Sequence, residues 1–476
     1  MAKSRAKRRR IITAVIVIVF LLGFLGFVAW YKLFRVVPVR YASAEEHFKY
    51  GSVGAEAPAG VPYWIWVVLP RMFPEKLPGQ GGYAALGAVW EEGHEMPIGF
   101  TKMTIGFDRV AINCAACHTT TVRATPKDKP MMFVGGPSSR FRPQGYLRFL
   151  FACAQDPRFN PDAIMSEIDR LTNLSQVDKL LYRYVLIPQT KKTLIKQASE
   201  DYAWMNTRPE WGPGRTDMNP FQLVVMRLPD NGTIGSTDIM SIWNERAHEG
   251  MLRHSDGLNS TLIEPVISAA LAAGATKDSV DVDGLKRVNE FLLDLPAAKY
   301  PFPIDQTLAA RGSEIYTARC AACHAFGGAT TGKIVPIEEI GTDPNRMNHW
   351  PQLAADTFNK YAEGYSWKFN NFRSSRGYLS VALDGVWARA PYLHNGSVPT
   401  LRDLLEAPEN RPKVFFRSYD VYDQQNVGFI SSGPDAEREG WIMDTSVQGN
   451  GNGGHLYGID LSAEEKRALI EFLKSL

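Results

Sequence analysis

The sequence predicts a mainly α-helical protein in which two domains follow a single membrane-spanning helix. Three observations predict it. Ile11 to Trp30 is a run of twenty residues without a charge. Apolar residues in several later segments return every three or four positions, the period of one helix face. And one pentapeptide, Cys-Ala-Ala-Cys-His, occurs twice, at Cys114–His118 and at Cys320–His324.

The apolar run comes first. Twenty helical residues cover about 30 Å, the thickness of a bilayer's hydrocarbon core. Residues 1–10, with Lys3, Arg5, Lys7, Arg8, Arg9 and Arg10, form a basic cytoplasmic tail. Residues 11–32 form the anchor, rimmed by Trp30, Tyr31, Lys32 and Arg35. Positive charge before the span holds the N-terminus inside and sends the rest outside. A cleaved signal peptide is the competing reading, and the long apolar core without a small-x-small cleavage site speaks against it. The tail also accounts for the net charge of +3, because the remainder carries 47 Lys and Arg against 50 Asp and Glu. A basic cluster beside a span is not a nucleic-acid surface, so no nucleic-acid partner is expected.

Residues 33–82 are rich in Pro and Gly and read as an irregular linker opening the soluble part. Within it, Tyr63 to Leu69 is aromatic and apolar, either core or a membrane-surface patch, and core is the commoner fate. Residues 83–300 read as the first domain. In it Ile164, Ile168, Leu171, Leu174, Val177, Leu181 and Tyr184 mark a helix closed by Pro188, and a shorter helix covers 193–202. Pro209 to Pro220 reads as a structured loop. A helix with Pro265 in its first turn ends at Gly274. Another runs from about Asp283 until Pro296 stops it. The Pro-rich stretch 296–304 is a stiff connection, and 301–476 is the second domain. It opens with a short helix, Leu308 to Tyr316. It closes with one capped by Ser462 and Glu465, whose stripe is Leu469, Phe472, Leu473 and Leu476. Few strand-like alternations appear.

Cys-x-x-Cys-His is the attachment signal of c-type haem. The two thiols add to the haem vinyl groups as thioethers, and the adjacent imidazole becomes an axial ligand of the iron. With five Cys and nine His in 476 residues, chance repetition is remote. Zinc would call for more Cys or His at matching spacing, and a thiol redox pair would not require the histidine. The expected cofactors are two covalently bound heme c groups, attached through Cys114, Cys117, Cys320 and Cys323, with His118 and His324 as axial ligands. The fifth cysteine, Cys153, follows the apolar Phe149–Ala152 and reads as a buried small hydrophobe. Covalent haem attachment outside the bacterial inner membrane agrees with the topology read from the N-terminus, placing the soluble part in the periplasm. A helix before the motif and a closing C-terminal helix are features of a cytochrome c domain, so the fold class is mainly α with two cytochrome c-type haem domains behind one transmembrane helix.

The stretch Ala390-Pro-Tyr-Leu-His394-Asn-Gly-Ser-Val-Pro-Thr-Leu401 resembles the signature segment of di-haem cytochrome c peroxidases and their relatives. Pro97-Ile-Gly-Phe100, Gly212-Pro-Gly-Arg215, Trp243 followed by His254-Ser-Asp256-Gly257, and Gly453-Gly-His455-Leu-Tyr-Gly458 resemble the rubber-oxygenase-like branch. The resemblance covers roughly residues 50–476. It implies one haem with an open sixth position for O₂ or peroxide and one with two strong protein ligands. The residues leave His349, His394, Met443 and His455 as candidates for the second ligand of the second haem. The peroxidases use a Met soon after their Pro-Tyr-x-His segment, and here none stands between His394 and Met443. Resemblance to the rubber oxygenases favours His455, with His394 hydrogen-bonding near the haem.

On the first haem's distal side Met240, His248, Met251 and His254 all remain candidates. Trp243 reads as cavity lining, electron relay or core. His254 and Asp256 read as a proton-handling pair or as a structural turn. Arg215 reads as the partner of a haem propionate or as a solvated arginine.

The functional expectation is a membrane-anchored periplasmic di-haem oxidoreductase that activates peroxide or O₂ at one haem and passes electrons through the other. Its expected partners are the membrane and a redox protein or small oxidant. The alternative is a non-catalytic electron-transfer cytochrome, possibly within a membrane respiratory complex.

Overall fold

The computed structural model describes residues 2–476, with side chains from residue 7 onward except Leu25. Lys3 and Arg5 of the expected basic tail lie outside the described side chains. The N-terminal helix Ala2–Leu33 contains one apolar span, Lys7–Leu33, long enough to cross a membrane, none of it buried against the rest of the chain. Just past it, Val36–Val37 pairs antiparallel with Thr104 and Ile105, and Lys32 Nζ reaches Asp178 Oδ1 at 2.7 Å.

Residues 33–82 are more regular than their composition suggested. Helices Ala44–Tyr50, Glu56–Ala59 and Tyr63–Met72 occupy much of the stretch. Ile65, Trp66, Val68 and Leu69 are buried, so this apolar run is core. Pro70 sits in the last turn, where it has no N–H for the Trp66 carbonyl. The Tyr83 hydroxyl donates to that carbonyl instead, at 2.8 Å.

The expectation of few strands missed one hairpin that matters. Strands Phe100–Ile105 and Phe107–Ile112 pair antiparallel around Gly106 and form the centre of a four-stranded sheet. The second strand runs directly into the first pentapeptide. There the Asn113 side chain caps the single turn Cys114–Cys117 and donates to the Gly51 carbonyl at 2.9 Å.

The helix expected over 164–184 is two helices, Pro161–Leu171 and Gln176–Leu181, with Ser175 capping the second. Pro188 does not end the run. A π turn at Tyr182–Leu186 carries the chain into helix Ile187–Lys196, with Pro188 in its first turn, where a missing N–H costs nothing. Helices Ile263–Ala272, Val282–Asp294, Gln306–Arg319 and Ala463–Leu473 lie where the apolar pattern put them. The capping box of Ser462 and Glu465 is present. The last two of these helices cross at Gly312, where any Cβ would overlap the Ala468 carbonyl.

The packing crosses the boundary expected at residue 300. Trp350, Ala354, Phe358, Phe369 and Phe372 share a core with Phe48, Ala115, Val266 and Leu285. Val122 and Trp243 share another with Trp387, Tyr422 and Leu469. The Arg123 N–H donates to the Asp420 carbonyl at 2.8 Å, and the Tyr422 N–H returns to the Arg123 carbonyl at 2.9 Å. The buried Asp420 carboxylate accepts from the Thr121 hydroxyl at 2.8 Å and from Arg123 Nε at 2.6 Å. Cys153 is fully buried, as its apolar neighbours suggested.

Candidate haem sites

Helix Gln306–Arg319, capped by Asp305, delivers the second pentapeptide. His324 Nδ1 lies 2.7 Å from the Val381 carbonyl. A carbonyl only accepts, so Nδ1 carries the hydrogen and Nε2 keeps a free lone pair, the arrangement a metal-ligating histidine requires. The His455 ring faces it, with ring centroids 6.2 Å apart and planes at 42°. Two metal–imidazole bonds of about 2.0 Å on opposite sides of one ion bring ring centres to roughly this separation.

Backbone contacts hold the loop bearing His455 in place. Gly454 adopts φ +73° against the Ile340–Thr342 backbone, where a Cβ would collide. The His455 N–H donates to the Ile340 carbonyl at 2.8 Å. The buried Arg411 donates to the carbonyls of Asn452 at 2.6 Å, Gly454 at 2.9 Å and His455 at 3.2 Å. Burial, reinforced by the nearby His324, pushes the His455 imidazole down to about 4, so it is neutral and fit to ligate at pH 7.

The other candidates do not face His324 as the His455 ring does. The Met443 sulfur is buried against Arg215 Nη1 at 3.7 Å. The His394 ring stacks on Tyr378 at 3.8 Å, and its carbonyl accepts from the Thr237 hydroxyl and the Asp238 N–H. Its own Nε2 is buried and meets no protein partner. His349 is buried against Thr233 and lies 3.7 Å from Asp217.

The first pentapeptide opens onto a cavity of about 800 Å³, lined on one side by Cys114, Cys117 and His118. All four distal candidates, Met240, His248, Met251 and His254, line the same cavity. Most of the remaining wall is apolar, but Arg215, Arg253, Arg346 and Arg389 also reach it. His118 Nδ1 is buried without a partner, as is at least one guanidinium nitrogen of each of these arginines. Burial pushes the His118 imidazole down to about 4.

Three expectations are sharpened here. Arg215 is 2% exposed, so the solvated reading is wrong. It donates to Asn450 Oδ1 at 2.8 Å and Ser236 Oγ at 3.0 Å, and burial, with Arg417 alongside, lowers its guanidinium to about 9. Trp243 does not line the cavity. It is core, its indole donating to the Asp384 carbonyl at 3.2 Å. It is wedged between Gly136 and Gly385, where added Cβ atoms would lie 3.0 and 2.7 Å from its ring. His254 and Asp256 part company. His254 lines the cavity at φ +65° with Nε2 unpartnered, and burial beside Arg346 and Arg253 lowers its imidazole to about 3. Asp256 stands behind it, fully buried, with its carboxylate 3.1 Å from Arg346 Nε. Burial raises that carboxyl, and Arg346 opposes the rise.

The residues fit covalently held haem. Each site offers two thiols and a neutral imidazole on one short turn. The first adds a cofactor-sized cavity and unsatisfied guanidinium donors suited to carboxylates. Arg346, Arg389, Arg411 and the Val381 carbonyl escaped the sequence, because each is recognisable only by what folding brings beside it.

Around the second pentapeptide these features define a cytochrome c domain. The chain therefore carries covalently bound haem c and a haem-based redox capacity. Residues 309–394 match the family described as cytochrome c, and residues 377–416 match the family described as RoxA-like, cytochrome c-like. Among curated proteins, the chain is similar to the uncharacterized protein y4iM of Sinorhizobium fredii, 34% identical over 247 residues. That match takes in 46% of this chain and 54%, about half, of the relative's length. It is also similar to the uncharacterized protein y4iJ of the same organism, 25% identical over 473 residues and 77% of each chain.

Proposed function

We propose that the protein is a membrane-anchored periplasmic oxidoreductase with two haem c groups. The site at His118 reacts with peroxide or O₂, and the site at His324 and His455 stores and passes electrons. One observation carries this reading: the two pentapeptides have unlike surroundings. His324 has a second imidazole 6.2 Å away, whereas His118 lines a cavity of about 800 Å³ that extends to Val381 and Arg389 beside the other site. Haem c at His118 would supply an iron with a position open to a small oxidant.

The chain's own groups do the rest. Arg215, Arg253, Arg346 and Arg389 offer buried donors to the cofactor's carboxylates. His254 is neutral at physiological pH and presents an unpartnered ring nitrogen to the cavity, able to take or relay a proton. Trp243, packed between Gly136 and Gly385 in the segments that follow the two pentapeptides, would serve as an electron relay between the sites. The apolar helix Lys7–Leu33 supports the anchor.

A non-catalytic electron-transfer role has one observation in its favour. Phe326, Leu456 and Tyr457 are exposed beside the second site, a surface suited to a redox partner. Pyridine-haemochrome absorbance decides the cofactor count, and two haem c per chain are expected. Carbon monoxide added to the reduced protein should perturb one haem of the two. A single haem would overturn the reading, and two haems with no response to carbon monoxide would leave the electron carrier.

A further inference from the structure

The helical run formed by Gln176–Leu181, Tyr182–Leu186 and Ile187–Lys196 buries one side only. Tyr182, Leu186, Ile187 and Leu194 face the core. On the other side Val177, Leu180, Tyr184, Val185 and Ile195 are 49, 57, 69, 46 and 39% exposed. So many large apolar side chains on one helical face, without a partner in the fold, call for a cover. Lys179, Arg183, Lys191, Lys192 and Lys196 are interleaved with them. Basic residues flanking an apolar stripe with an aromatic are the composition of a helix that lies in a membrane interface.

The position of the run points to the same cover. The Lys32–Asp178 pair, at 2.7 Å, ties its first turn to the last turn of the apolar N-terminal helix. The 27 residues of that span cover about 40 Å as a helix, more than the hydrocarbon core, so its end lies at headgroup level. Trp30 and Tyr31, both exposed, mark the same level.

We propose that the face carrying Val177, Leu180, Tyr184 and Val185 inserts into the outer surface of an anionic bilayer. Its apolar side chains enter the acyl boundary while Lys192 meets lipid phosphates, beside Lys179 and Arg183, which pair with Asp169 and Asp162 in the fold. The soluble part is then seated on the membrane in a fixed orientation rather than tethered above it. This rests on the anchor reading of the N-terminal helix.

The test uses the full chain with nitroxide labels at Leu180→Cys, Tyr184→Cys and, as an aqueous control, Glu314→Cys. The proteins are reconstituted in phosphatidylcholine vesicles containing phosphatidylglycerol. Cys153 is fully buried and does not compete for label. Relaxation by oxygen relative to a water-soluble nickel complex should be several-fold higher at 180 and 184 than at 314. Equal ratios at the three positions overturn the proposal, including the case in which a protein partner is the true occupant. Extraction at alkaline pH reports separately on the anchor. Protein that resists extraction but gives aqueous ratios keeps the anchor and loses the seat. Protein that is extracted yet gives lipid-like ratios at 180 and 184 keeps the seat and loses the anchor.

Discussion

At the scale of single residues, most of the chemistry rests on histidines held neutral. His455→Ala should remove one low-spin signal from the electron paramagnetic resonance spectrum and create a high-spin one. Met443→Leu should leave the spectrum as it is, because that sulfur packs on Arg215. An unchanged spectrum in the His455 variant would return the ligand to His394 or Met443. Three histidines outside the ligand set carry a pH prediction. Burial lowers His254 and His394 to about 3 and His349 to about 4, from an ordinary 6.5. Unfolded, all three bind protons first, so their contribution is complete above about pH 6.5 and is lost as pH falls toward about 4. The slope approaches 1.4 kcal/mol per pH unit for each, roughly. A urea midpoint that stays level between about pH 7 and about pH 5 would contradict this. The attachment motif of the cytochrome c domain, Cys320 to His324, was legible as a short string, because attachment chemistry demands it. Arg346 and Arg411 were not, because a buried arginine is marked only by the carboxylate or carbonyls that fold against it.

At the scale of elements, the sequence was read well where apolar periodicity was long and cleanly capped. The closing helix Ala463–Leu473 was visible in both its stripe and its capping box. It was read poorly where a turn overrode a rule. Pro188 signalled a stop, yet the π turn ahead of it absorbs the missing donor and the helix continues. The hairpin Phe100–Ile112 gives no alternating pattern, because its strands are six residues each and their buried residues, Phe100, Thr101, Val110 and Ala111, are adjacent pairs. That hairpin aims the first pentapeptide, so the omission hid how the cavity is positioned. The crossing of Gln306–Arg319 with Ala463–Leu473 gives a direct check. Gly312→Ala forces the two backbones apart and should cost roughly 1–3 kcal/mol by overpacking, read as a lowered urea midpoint. It should also broaden the spectrum of haem held at Cys320–His324, the pentapeptide that follows that helix.

At the scale of the molecule, two pentapeptides suggested two modules, and the structure interlaces them. Residues near 350–372 complete the core around the first site, and Val122 and Trp243 complete one beside the second. No sequence pattern announces such exchange, because a helix face records that it is buried, not against what. Asp420→Ala should strand Arg123 and the Thr121 hydroxyl and cost about 3–5 kcal/mol. Both haem absorptions should then be lost together in one unfolding transition, whereas two separate transitions would mean independent modules. The link from Thr121 to Asp420 also spans 299 positions of sequence. A chain made from its N-terminus presents Cys114 and Cys117 long before Asp420 follows. During that interval the segment after the first pentapeptide lacks the buried carboxylate that Thr121 and Arg123 bind in the finished fold. Contacts so distant in sequence set an order of assembly: the first pentapeptide is made early, and the wall of contacts behind it closes last.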